Sequence, residues 1–143
     1  MSRSTRRWSV LAALALCIAL VGAGCTKNAE SLQSAQLVNT ARSDRGIPAL
    51  NLNDTLIEKA QAWAETMAAN GSASHSNLTD GAGPGWSRIG ENVGWARSID
   101  EMHTMFMNSP AHRAAILDAG YTQYGTGVAV VNGRYYVVQV FAA

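Results

Sequence analysis

Three residues far apart in the chain carry side chains that could do chemistry together: His75 in SASHSN, Glu91 in IGENVGW and His112 in NSPAHRAAIL. Two imidazoles and one carboxylate can hold a divalent metal or share a proton transfer. Spacing alone lends them little, since the two histidines stand 37 residues apart and nothing matches the helical His-x-x-x-His of a metalloprotease. The setting of His112 says more. Ser109-Pro110 reads as a helix start, with a serine oxygen accepting from an unpaired N–H and a proline where its missing donor costs nothing. A histidine in the first turn meets the positive end of the helix dipole, which favours the neutral ring, and a neutral ring accepts a proton or binds a metal.

Plainer readings stand beside these. Glu91 could be a buried carboxylate that ties backbone donors together, because an unpaired buried charge is costly. Asn92 reads as structural rather than catalytic, Glu101 as the partner of Ser98 in a capping box, and His103 as a packed boundary residue. Arg113 has no assigned role.

The elements that must position these residues can be read from pattern. After a polar tether ending in TKNAESLQS, with bounds 25–34, a first helix is expected from about 30 to 45, closing at Gly46 with Pro48 behind it. A second runs from Asn53 or Asp54 to Asn70-Gly71, with Leu56, Ala60, Trp63, Ala64 and Met67 at helical spacing. Residues 71–90 read as a surface loop. DGAGPG within it is no phosphate cradle, since no strand-to-helix junction surrounds it and RIGENVGWA after it lacks a helical period. Ser98 opens a third helix, with Ile99, Met102, His103 and Phe106 on one face, and Pro110 a fourth that ends near Leu117. YGTGVAVVNGRYYVVQVFA then has two β-rich runs joined by Asn132-Gly133, the strongest short hairpin signal. Helices first and a closing antiparallel hairpin predict an α+β domain over residues 35–143.

The start of the chain reads as an export leader over residues 1–24: Arg3, Arg6 and Arg7, the apolar run LAALALCIALVG, then VGAGC. Ala23-Gly24-Cys25 resembles a bacterial lipobox, in which the Cys25 thiol takes lipid, although Gly22 stands where Leu, Val or Ile is usual. Ordinary secretion is the alternative. Cys17 would leave with the leader, so Cys25 is the sole cysteine of the mature chain and no disulfide can form within it. Loss of the leader removes three of 11 basic residues and none of the 10 acids, leaving a slightly acidic chain with no basic face. Nucleic acid and a polybasic membrane patch are therefore poorly supported as partners, since each would need clustered Lys and Arg. About 118 residues remain, the size of one domain.

HSN at 75–77, GENVGW at 90–95, MNSPAHRAAIL at 107–117 and YGTGVAVVNGRYYVVQVFA at 124–142 together resemble successive signatures of the CAP superfamily of cysteine-rich secretory, antigen 5 and pathogenesis-related proteins. LVNTARSDRGIPALNLNDTLIEKAQAWAETMA is similar to that family's first two helices, so the resemblance runs from 36 to 142. It implies a three-layer α-β-α sandwich with a cleft, paired histidines at His75 and His112, a first acid at Glu91, support from Asn92 and Ser109, and in several relatives a divalent ion, often zinc. Many eukaryotic members carry a second glutamate three residues after a tryptophan. Here Phe106 and Ser109 occupy those places, so a two-carboxylate mechanism is not expected and metal should bind weakly. The resemblance implies a module with no single established reaction that binds an envelope ligand of lipid, glycan or protein nature, and the lipobox-like segment places it outside the cytoplasm, membrane-anchored at Cys25. The alternatives are a hydrolase working through the same residues and a purely structural envelope protein.

Overall fold

The computed structural model describes residues 28–143; the leader, the lipobox and Cys25 lie outside the described residues. In chain order the elements are α1 (Ala29–Ser43), β1 (Asn51–Leu52), α2 (Asp54–Asn70), β2 (Ile89–Ala96), α3 (Ile99–Asn108), α4 (Pro110–Leu117), β3 (Gln123–Val131) and β4 (Arg134–Ala142). The strands form one sheet in the order β1-β3-β4-β2. It is mixed rather than wholly antiparallel, because β1 runs parallel to β3. None of the described helices is long and apolar enough to cross a membrane.

Alternation along β4 divides the core into two. Tyr136, Val138 and Val140 face Leu56, Ala60, Ala64 and Met67 of α2. Val137 and Phe141 face the other way, with Val38 of α1, Phe106 of α3 and Ile116 of α4. Helix, sheet and helices thus make the expected three layers. On the α2 side the approach is unusually close: a Cβ on Gly125 or Gly127 of β3 would collide with the α2 backbone at Leu56–Ile57 or Ala60–Gln61. Glycine inside a strand commonly marks such an approach.

The helix ends follow local chemistry. Asn53 caps α2 through its side chain, and Gly71 ends it with φ +68°. Asn132 and Gly133 both have positive φ, which gives the tight hairpin turn expected of Asn-Gly. Two expectations need correction. The segment 25–34 is not tether throughout, since α1 begins at Ala29 with Asn28 accepting from the Ser31 N–H at 2.7 Å. Ser31 and Ser34 are buried, and the Ser34 hydroxyl accepts from Thr126 and Gln139 of the sheet, so the polar residues that suggested a tether serve the core. Ser109 does not cap α4 with its side chain. It also ends α3, its N–H bonding back to Met105 and Phe106 while its carbonyl accepts from Arg113, so both helices fix its backbone.

Candidate functional site

β2, which has no helical period and was not anticipated as a strand, carries the site. Glu91 points toward the α2 side of the sheet, and its side chain is fully buried. One carboxylate oxygen accepts from the Ser76 N–H at 2.9 Å and from His75 Nδ1 at 2.9 Å; the other accepts from the Ser76 hydroxyl at 2.6 Å. Because a carboxylate only accepts, the bond places the His75 proton on Nδ1 and leaves Nε2 free on a ring that is 61 % exposed. Behind Ser76 lies Lys59 of α2, a residue the sequence did not single out. Its ammonium donates to the Ser76 hydroxyl at 3.0 Å and to the Asn77 and Asp80 carbonyls at 2.8 and 2.7 Å. Burial lowers its pKa, and the carboxylates of Glu91 and Asp80 partly offset that. Lys59, Ser76, Glu91 and His75 therefore form one relay from the helix to the exposed ring.

His112 is anchored by its backbone to the other face of the same strand. Asn92, the next residue of β2, is buried and its amide donates to the His112 carbonyl at 3.1 Å and to Gln139 at 3.2 Å. The His112 ring meets Phe106 edge to face, with centroids 5.0 Å apart. Burial lowers its pKa, and the neighbouring His75 lowers it further, so the neutral ring is favoured on both counts. Phe106 thus packs His112, and Ser109 opens the turn that holds it. Arg113 donates to the Met107 carbonyl and Glu101 caps the start of α3, so both serve local structure.

A cavity of about 520 Å³ runs beside these residues. Val93, Gly94, Trp95 and Ala96 all line it, and since successive strand residues point to opposite faces, it must lie against the outer edge of β2. Met102, Met105 and Phe106 of α3 form its apolar wall, with Arg97 and Glu101 at one end and Ser109 and His112 at the other. His75 and Glu91 do not line it. Nor, among the described residues, does any group of three His, Cys, Asp or Glu side chains come together to hold a metal. Both oxygens of Glu91 are engaged by Ser76 and His75.

Comparison with known proteins agrees with this architecture. A curated relative, the uncharacterized protein YkwD of Bacillus subtilis (strain 168), is 28% identical over 101 residues, or 64% of this chain; the match spans only 39% of that relative's length. An outer surface protein of Borrelia burgdorferi superposes with a TM-score of 0.68 at 15% identity, covering 81% of this chain and 93% of that one. An extracellular SCP-domain protein of Bacillus anthracis superposes with a TM-score of 0.63 at 25% identity, covering 79% and 40%. The family model described as CAP, the cysteine-rich secretory protein family, matches residues 35–141, and the chain belongs to that family.

Proposed function

We propose that this chain is an exported binding module of the bacterial cell envelope, held at the membrane by lipid on Cys25, whose ligand occupies the cavity along β2. The observation that carries the reading is the cavity itself. Its volume of about 520 Å³ falls in the range of ligand sites, and an apolar wall with polar groups at both ends is the usual composition of one. His112 is the polar contact at one end, held neutral by its surroundings.

The His75–Glu91 bond has the form of a carboxylate that orients a metal-binding imidazole, and it favours a second, subsidiary reading in which His75 Nε2 and His112 hold a divalent ion such as zinc. Glu91 would orient rather than ligate. Two nitrogens make an open shell, unlike the four-ligand sites that hold structural zinc, so the ion would bind weakly and leave on chelation without unfolding the domain. A bound ion would supply Lewis acidity at the edge of β2. A serine hydrolase has less support, because among the described residues no serine hydroxyl is hydrogen-bonded to a histidine.

The test uses purified protein with ¹³C-methyl methionine, titrated with palmitate, with a chitin oligosaccharide and with pooled heptapeptides. At least one class is expected to shift the Met102 and Met105 methyl signals saturably, and Met105→Arg is expected to abolish the effect. Should none of the three classes move those signals, the binding-module reading fails. Release of a Cys25→Ala variant from membranes into the medium would support the anchor, and an unchanged membrane fraction would count against it.

A further inference from the structure

The ligand class can be taken further on the binding-module reading, from the backbone that lines the cavity. Arg88 and Ala143 exchange both N–H···O bonds. From there the β2–β4 register continues without a break from Ile89↔Ala142 to Ala96↔Tyr135. Because bonded and non-bonded pairs alternate in an antiparallel ladder, Gly90, Asn92, Gly94 and Ala96 bond to β4, while the N–H and C=O groups of Ile89, Glu91, Val93 and Trp95 point outward. β2 is an edge strand, and no backbone hydrogen bond from Val93 or Trp95 reaches any other element among the described residues. These two residues are also the ones whose outer edge opens on the cavity.

The two edges of the sheet differ in how they are protected. β1, at one edge, is two residues long and offers almost nothing to pair with. β2 is eight residues long, has no proline and no lysine, and its one charged side chain, Glu91, is buried. Natural edges are normally blunted by shortness, charge, proline or a bulge. Glu91 is an inward-pointing charge at one part of β2, but the stretch Val93–Ala96 along the cavity is blunted by none of them, and beside it stands an apolar wall of Met102, Met105 and Phe106, with Met105 49 % exposed and Trp95 39 % exposed.

We infer that the cavity takes an extended peptide segment of another protein, which adds to the sheet as a strand outside β2. Its backbone pairs with the N–H and C=O of Val93 and Trp95, and alternate side chains enter the pocket made by Met102, Met105 and Phe106. A donor and an acceptor repeated at every second residue match an extended polypeptide, whose own groups repeat at the same period. A fatty acid offers no such series. Methionine suits a wall that must accept varied side chains, because it is unbranched and adapts its shape. Toward Ser109, the peptide would run to the ring of His112.

The experiment selects heptapeptides from a random library on the full-length protein, with Met105→Arg as the counter-selection, and then follows amide hydrogen exchange. With a selected peptide bound, exchange at Val93 and Trp95 is expected to slow at least about tenfold, while Gly94, already bonded to β4, changes little. N-methylation of peptide amides at alternate positions should weaken binding about tenfold and at the intervening positions much less. Val93→Pro removes an outward N–H without removing a ladder bond, which edge strands tolerate, and should weaken binding to a similar degree. Peptides that bind and shift the methionine methyls, yet leave Val93 and Trp95 exchange unchanged, would overturn strand addition. Failure to enrich any heptapeptide while palmitate or the oligosaccharide binds would also overturn it and leave the binding-module reading intact. Failure of all three ligand classes would bring down both.

Discussion

The two faces of the sheet are packed by different means. On one face α2 lies backbone against backbone on β3, at Gly125 and Gly127, where no side chain intervenes. On the other, α3 and α4 meet the sheet through flexible or aromatic side chains, and beside them the cavity opens along β2. The first arrangement has no slack, since rigid backbone cannot yield. The second has slack at its edge, where methionine ends can move. The lesson is that the close-packed face fixes where Lys59, Ser76 and Glu91 stand, while the looser face leaves room for a ligand.

The strongest way to break this comparison is to add one methyl group to each face. Gly125→Ala should cost about 3 kcal/mol or prevent folding, because overpacking against an immovable neighbour exceeds the usual penalty. Gly94→Ala is the counterpart on β2: its Cβ would meet Met102 Cε at 2.7 Å and Sδ at 2.9 Å. The Met102 tip can move aside, so the cost should be below about 1 kcal/mol. Urea denaturation of both variants checks the pair, and equal losses would show that the faces do not differ in slack.

Between these extremes lies Glu91→Gln. The amide offers one acceptor where Ser76 and His75 present three donors, so stability should fall by about 2 kcal/mol. If His75 also holds a metal, calorimetric zinc affinity should fall about tenfold, since the orienting bond to the ring is lost. A stability loss with zinc affinity unchanged would make Glu91 purely a tie between Ser76 and the strand. His103→Ala should leave zinc affinity alone, because His103 lies in neither the relay nor the cavity wall.

Much of the fold was legible because its signals are local. Helical spacing and the Asn53 and Gly71 ends gave α2, and Asn132-Gly133 gave the hairpin, each within a few residues. β2 was not legible. IGENVGWA has two glycines and a buried Glu-Asn pair that break a strand's apolar-polar alternation, and its partners come from distant β4 and α4. Lys59 and Arg42 were hidden for a similar reason. Arg42 looks like a solvated helix residue but is fully buried, donating to the carbonyls of Pro48, Ile116, Asp118 and Tyr121 and so binding α1 to the end of α4. At the site, motif resemblance found His75, Glu91 and His112, but only the fold shows that Ser76 and His75 engage both Glu91 oxygens and that His112, not His75, lines the cavity. A glycine pair in β3 and a lysine beside an apolar helical stripe were the available signals for the rest.

The smallest expected effect, and the one that sharpens the reading of the looser face, is the pH dependence of stability. His112 and His103 both sit on that face with pKa values below the ordinary 6.5, in each case chiefly through burial. For His112 the charge on His75 adds to the lowering, whereas for His103 Asp100 works against it. A histidine held below its unfolded value binds fewer protons when folded, so stability is fully present above about pH 6.5 and is lost as pH falls through the folded values. The urea midpoint should therefore decline from pH 7.5 toward pH 5, alongside any contribution from acidic groups at the lower end. His112→Gln should flatten part of that decline, and His103→Gln another part. His75→Ala should flatten it less than His112→Gln does, because it removes only the repulsion and leaves the burial. If His75→Ala had the larger effect, charge rather than burial would hold His112 neutral, and the ring would belong to the open edge of the cavity instead of its packed end against Phe106.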